Sequence, residues 1–119
     1  QSPLAGIEYF ESVEQRLGSE LVGNSARLYL ATATTHGGTG ESMTDGKVIP
    51  TNHDMLATLD KWVAEDKAPA DVLTLTRNEA EQPHETLATQ KMCRYPNYPH
   101  YTGGDELSAS SYECRPSVY

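Results

Sequence analysis

The sequence predicts an α/β layer, on three observations: an apolar helical face that runs into a short β-type segment, a second amphipathic helix followed by a β-rich segment, and a polar, aromatic tail that holds both cysteines. After the extended Ser2-Pro3, the residues Leu4, Ile7, Phe10, Val13, Leu17 and Leu21 recur at steps of three and four. They form one apolar face, with Glu8, Glu11, Glu14 and Gln15 outside it. Gly18 or Gly23-Asn24 suits the helix end. Leu28, Tyr29 and Leu30 then supply a β-type run that leads into a loop with Gly37, Gly38 and Gly40.

His36 stands in that loop and is the candidate catalytic base. A histidine at a strand end can present its imidazole at the rim of a sheet and pass a proton to and from a nucleophile. A solvated loop histidine does none of this, and the residues alone leave both readings open.

Val48-Ile49-Pro50 restores apolar character, and Thr51, Asn52 and Asp54 offer capping oxygens. Met55, Leu56, Leu59, Trp62 and Val63 predict a second helix ending near Asp66 or Lys67, before Pro69, with Trp62 on its packed face. Val72–Thr76 reads as an edge strand, and Leu87–Met92 as a short strand pairing with it. From Arg77 onward the chain is too polar to build its own core, so it is expected to wrap on a neighbouring surface with Tyr95, Tyr98, Tyr101 and Tyr112 as anchors.

Composition limits the partners. A chain of 119 residues that is 37% hydrophobic, with a mean hydropathy of -0.58, has a thin private core. It begins with Gln1 and shows no charged segment followed by an apolar one, so it is expected to be a C-terminal piece. The net charge of -8 and scattered Lys and Arg argue against nucleic acid, whose phosphates would be repelled. No apolar run approaches the about 18 residues of a membrane span.

Cys93 and Cys114 lack the C-x-x-C spacing of a metal site, and a disulfide with a secreted location is the favoured reading. Two free thiols in a cytosolic protein are its alternative. Asn24, Asn52, Asn78 and Asn97 all fail the glycosylation pattern. A metal hydrolase using His36, His53, His84 and His100 has no recognised ligand spacing behind it. Asp45, Asp54 and Asp105 are in principle triad acids, but Asp54 reads as a helix-start residue and Asp105 as a turn residue.

Taken in order, IEYFESV, RLYL, the loop histidine, NHDMLATLDKWVAEDKAP and CRYPNYPHYTGGDELSASSYEC resemble the C-terminal portion of the tannase and feruloyl esterase family over nearly the whole chain. The most specific parts are the D-x-L-x-x-L-x-x-W-V-x-x-x-x-A-P pattern, approximated by Asp54 to Pro69, and the C-x-Y-P…Y-x-G-G-D…S…C pattern from Cys93 to Cys114. The resemblance implies that residues 1–119 are the C-terminal part of an α/β-hydrolase catalytic domain, with 77–119 a disulfide-stapled tail. It implies cleavage of phenolic acid esters, of gallate or hydroxycinnamate type, by Ser, Asp and His in that chain order. The family histidine after an R-L-hydrophobic-L segment corresponds to His36.

No G-x-S-x-G or C-S-x-G motif is present, so the serine, the aspartate and the lid are expected on an upstream chain or segment of the same precursor. No cofactor is expected in this chain, and a structural calcium is expected in the upstream lid. Gly37 replaces the cysteine that usually follows the family histidine, and ATATTHGG lacks the usual G-M-G before it. Restraint of His36 then falls to other groups, such as the hydroxyls of Thr34 and Thr35 or packing of the tail. The alternative to an active esterase is a noncatalytic binding or degenerate esterase subunit.

Overall fold

In the computed structural model, residues 2–34, 40 and 45–117 are described. The first helix, α1 (Pro3–Leu17), starts where the sequence places it: Ser2 Oγ accepts from the Leu4 amide at 3.3 Å, and Pro3 needs no amide partner in the first turn. It stops at Gly18, whose φ of 86° only glycine adopts at little cost. The apolar pattern continues into a separate turn, α2 (Ser19–Gly23), so Leu21 belongs to a second element and not to the first. Val22 is the buried residue of that turn.

The second predicted helix is α3 (Met55–Glu65), capped by Asp54 through the Ala57 amide at 2.9 Å and closed by Asp66 in the left-handed conformation. Asp54 is thus occupied as the helix-start residue the sequence implies. Met55, Leu59 and Trp62 turn toward Arg27 and Leu73, with Trp62 half-buried under the Arg27 guanidinium, 5.4 Å from its ring centre. Leu56 and Val63 lie about 90° around the helix and are 79% and 80% exposed.

Strands β1 (Val72–Asn78) and β2 (Thr86–Cys93) form an antiparallel hairpin with Leu73 opposite Met92 and Leu75 opposite Gln90. Alternation along β1 buries Leu73 and Leu75 and leaves Val72 and Thr74 exposed. Leu73, Leu75 and Met92 make the small core, with Tyr29 packed against it. The sequence reading of the tail is corrected in one respect. Besides wrapping, it pairs with itself as β3 (Asn97–Tyr101) and β4 (Tyr112–Pro116), so its backbone groups are satisfied by a second two-stranded sheet. A Cys93–Cys114 disulfide joins the end of β2 to β4, and both cysteines are used by it.

The expected strand at Leu28–Leu30 is reduced to one antiparallel bridge, Tyr29 with Arg94, beside a bond from the Tyr95 amide to the Leu28 carbonyl at 2.8 Å.

Candidate active site

The candidate base, His36, lies outside the described residues, as does Thr35; Thr34 and Gly40 are the described residues on either side of it. What is described is the frame that carries the chain up to that point and receives it afterwards.

On the leading side, Tyr29 donates its phenol to the Ala70 carbonyl at 2.7 Å, and the Arg27 guanidinium donates to the Pro69 carbonyl. The segment 27–31 is thereby fastened to the link between α3 and β1 as well as to Arg94. It ends in a turn at Ala33, a residue with φ of 54°. On the far side, Gly40 is buried against that turn. A Cβ added to it would stand 2.5 Å from the Ala33 carbonyl oxygen and 3.5 Å from Thr51 Cγ2. Further along, Lys47 reaches Glu106 Oε2 at 3.0 Å and Asp45 Oδ2 at 3.3 Å, bringing the stretch after Gly40 to the tail. The hydrogen bond that Lys47 donates to Glu106, joined by the one to Asp45, holds its ammonium above the ordinary pKa.

A cleft of about 360 Å³ runs beside the frame, lined among others by Leu28, Ala31, Thr34, His53, Leu75 and Met92. His53 is held on both ring nitrogens, Nδ1 at 3.1 Å from the Thr74 carbonyl and Nε2 at 2.9 Å from Thr58 Oγ1. His84, with φ of 59°, reaches the Glu79 carbonyl through Nδ1, and His100 lies in β3 opposite Glu113. Among the described residues no three of His, Cys, Asp or Glu converge on a common point. Asp105 accepts from the Leu107 amide at 3.0 Å, which is the turn role read from the sequence.

In the sequence Gly40 is one of several loop glycines, and nothing marks Ala33. The signal was available in part: a glycine confined to a loop marks a place where another backbone comes close. The partner that comes close could not be read from spacing.

Comparison with known proteins adds the context. The sequence model of the family described as tannase and feruloyl esterase matches residues 1–115. A probable feruloyl esterase of Arthroderma benhamiae is 41% identical over 113 residues, 94% of this chain and 20% of that protein. An uncharacterized esterase of Agrobacterium fabrum is 33% identical over 114 residues, 95% of this chain and 19% of that protein. Two crystal structures from Aspergillus oryzae share the fold: feruloyl esterase B, at TM-score 0.72 and 19% identity over 96% of this chain and 24% of that one, and an esterase, at 0.71 and 20% over 92% and 24%. The chain therefore spans about a fifth of the length of the curated relatives it matches.

Proposed function

The chain belongs to the tannase and feruloyl esterase family, and on that premise we propose that it is the histidine-bearing C-terminal part of a secreted serine esterase with an α/β-hydrolase fold. The observation that carries the reading is the family match over residues 1–115 together with 41% identity to a probable feruloyl esterase. The substrate class is an ester of a phenolic acid.

His36 is the general base. It takes the proton of a serine hydroxyl as the oxygen attacks the ester carbonyl. When the tetrahedral intermediate collapses, the bond to the alcohol oxygen breaks and His36 returns the proton to the departing alkoxide. Water then repeats the sequence on the acyl-enzyme, releasing the acid and restoring the serine. An upstream aspartate accepts the second imidazole N–H and fixes the tautomer.

The serine, the aspartate and the lid belong to the upstream segment. The uncovered apolar residues on α1 and α3, with Leu4 at 63%, Leu56 at 79% and Val63 at 80% exposed, support a larger partner surface from the same precursor. A structural calcium ion would belong to that lid and not to the residues of this chain. The disulfide supports a location outside the reducing cytosol.

The test is a fluorophosphonate that labels activated serines, applied to the full-length esterase and to His36→Ala. The parent is expected to take the label on the upstream segment and to hydrolyse phenolic esters. The variant is expected to lose about four orders of magnitude in turnover or more. Near-parental rates in His36→Ala sink the assignment of the base, and a parent that neither labels nor turns over is a degenerate subunit.

A further inference from the structure

We propose that the cleft between α3 and residues 25–29 binds a single-ring aromatic carboxylate, with the Arg27 guanidinium holding the carboxylate and the apolar wall holding the ring. The cleft measures about 310 Å³ and is walled by Tyr29, Met55, Leu59, Trp62 and Leu73. Among the residues that line it, Arg27 is the one charged group. That the ligand is a phenolic acid rests on the esterase reading; that it is an aromatic anion does not.

The charge balance points to an anion. Arg94 pairs with Asp71 at 3.1 Å and Arg115 pairs with Glu113, whereas Arg27 has no carboxylate within ion-pair reach among the described residues. Its Nη1 donates to the Pro69 carbonyl, its Cζ stands 5.4 Å from the centre of the Trp62 ring, and its Nε is enclosed without an acceptor. A half-buried cation met only by a carbonyl and a ring is short of a counter-charge, and its forked guanidinium matches the shape of a carboxylate.

The rest of the wall selects the body that carries the charge. With its carboxylate on Arg27, a ligand lies against Met55, Leu59, Leu73 and two aromatic side chains, where an apolar ring displaces water and a sugar leaves most of its hydroxyls unpaired. The volume falls at the low end of the range of ligand pockets and suits one ring. In an esterase that cleaves phenolic esters, the acid released is such a molecule, ionised at neutral pH.

The experiment titrates 4-hydroxycinnamate and its neutral primary amide into the full-length esterase by calorimetry, in the parent, Arg27→Met and Leu59→Phe. The parent is expected to bind the acid saturably and the amide at least about tenfold more weakly, the worth of one charge-assisted hydrogen bond. Arg27→Met is expected to raise the Kd of the acid at least about tenfold and to abolish its preference over the amide. Leu59→Phe fills the cleft from a position that is 54% exposed, and is expected to weaken acid and amide alike. Where Arg27→Met yields no folded protein, the amide comparison together with Leu59→Phe decides. Three results overturn the proposal: a parent that binds no acid, because the remainder of the protein fills the cleft; acid and amide bound equally; or a Kd that neither variant changes by more than about twofold. Failure of the esterase reading shows separately, as a parent that neither takes the fluorophosphonate nor hydrolyses phenolic esters, since binding of the acid is read without turnover.

Discussion

His53 and Thr58 meet across the first turn of α3, with Nε2 2.9 Å from Oγ1, while the other ring nitrogen stands 3.1 Å from the Thr74 carbonyl of β1. The nitrogen facing the carbonyl carries the hydrogen. The Thr58 hydroxyl also stands 2.9 Å from the Asp54 carbonyl, its one hydrogen shared between that oxygen and Nε2, so the helix start, its capping residue and the hairpin meet in one small network. A backbone bridge between Asn52 and Thr76 runs beside it. The imidazole is therefore a bracket between α3 and β1.

Removal of that bracket in His53→Ala is expected to cost about 1–2 kcal/mol, the value of two hydrogen bonds at a half-exposed site. Turnover of the full-length esterase is expected to be unaffected. Denaturant unfolding and ester hydrolysis, measured on the same preparation, separate the two. A large loss of turnover at unchanged stability would return His53 to the list of functional histidines.

Tyr95 couples the tail to α1 in a way that titration can follow. Its phenol hydrogen-bonds the Glu11 carboxylate and its ring meets Phe10 edge-on at 6.4 Å. The hydrogen bond to Glu11, aided by desolvation, pushes the Tyr95 pKa up to about 12. Because the folded value is raised, the contact contributes fully below the ordinary pKa of about 10 and is lost as pH rises through about 12. Ultraviolet titration of Glu11→Gln is expected to show one tyrosine ionising at lower pH than in the parent. Superimposable curves would remove the coupling.

How much of this could be read from the sequence follows from the range of the interactions involved. Local signals sufficed for α1, α3 and the β1–β2 hairpin, because Ser2, Gly18, Asp54 and the alternation of Leu73 and Leu75 act within a few residues of themselves. Of the two helix ends the sequence offers, Gly18 and Gly23-Asn24, the structure uses Gly18, and Leu21 passes to α2 although the apolar period continues across the break. The tail's pairing with itself is not visible in the sequence, since Tyr98, Tyr101 and Tyr112 read as wrapping anchors and the strand partners lie on either side of a turn. At the site, the place after RLYL singles out His36, which lies outside the described residues, whereas the Ala33–Gly40 contact depends on two backbones meeting in space.

The Cys93–Cys114 bond closes a loop across 21 positions and joins the β1–β2 hairpin to the β3–β4 sheet. Loop-closure entropy assigns about 3 kcal/mol to a crosslink of this span. Cys114→Ser is expected to lower the melting temperature by several degrees and to raise amide exchange first in β3 and β4. Exchange that increases evenly over the whole chain would show that the bond restrains more than the tail.

Leu56 and Val63 project from α3 about 90° away from the side that faces Arg27 and Leu73, at 79% and 80% exposure. An apolar stripe of this kind gains nothing in water, and if this chain is part of a protein as long as the curated relatives it matches, the stripe suits burial by the remainder. Leu56→Arg in the full-length esterase would then bury a charge without a partner, and a loss of about 3 kcal/mol or more is expected, read as lower soluble yield and melting temperature. Lys61→Glu, on the opposite side of the same helix, is expected to be tolerated. If Leu56→Arg is tolerated as well, this stripe faces solvent in the complete protein and the partner surface has to be sought on α1, where Leu4 and Leu17 are exposed.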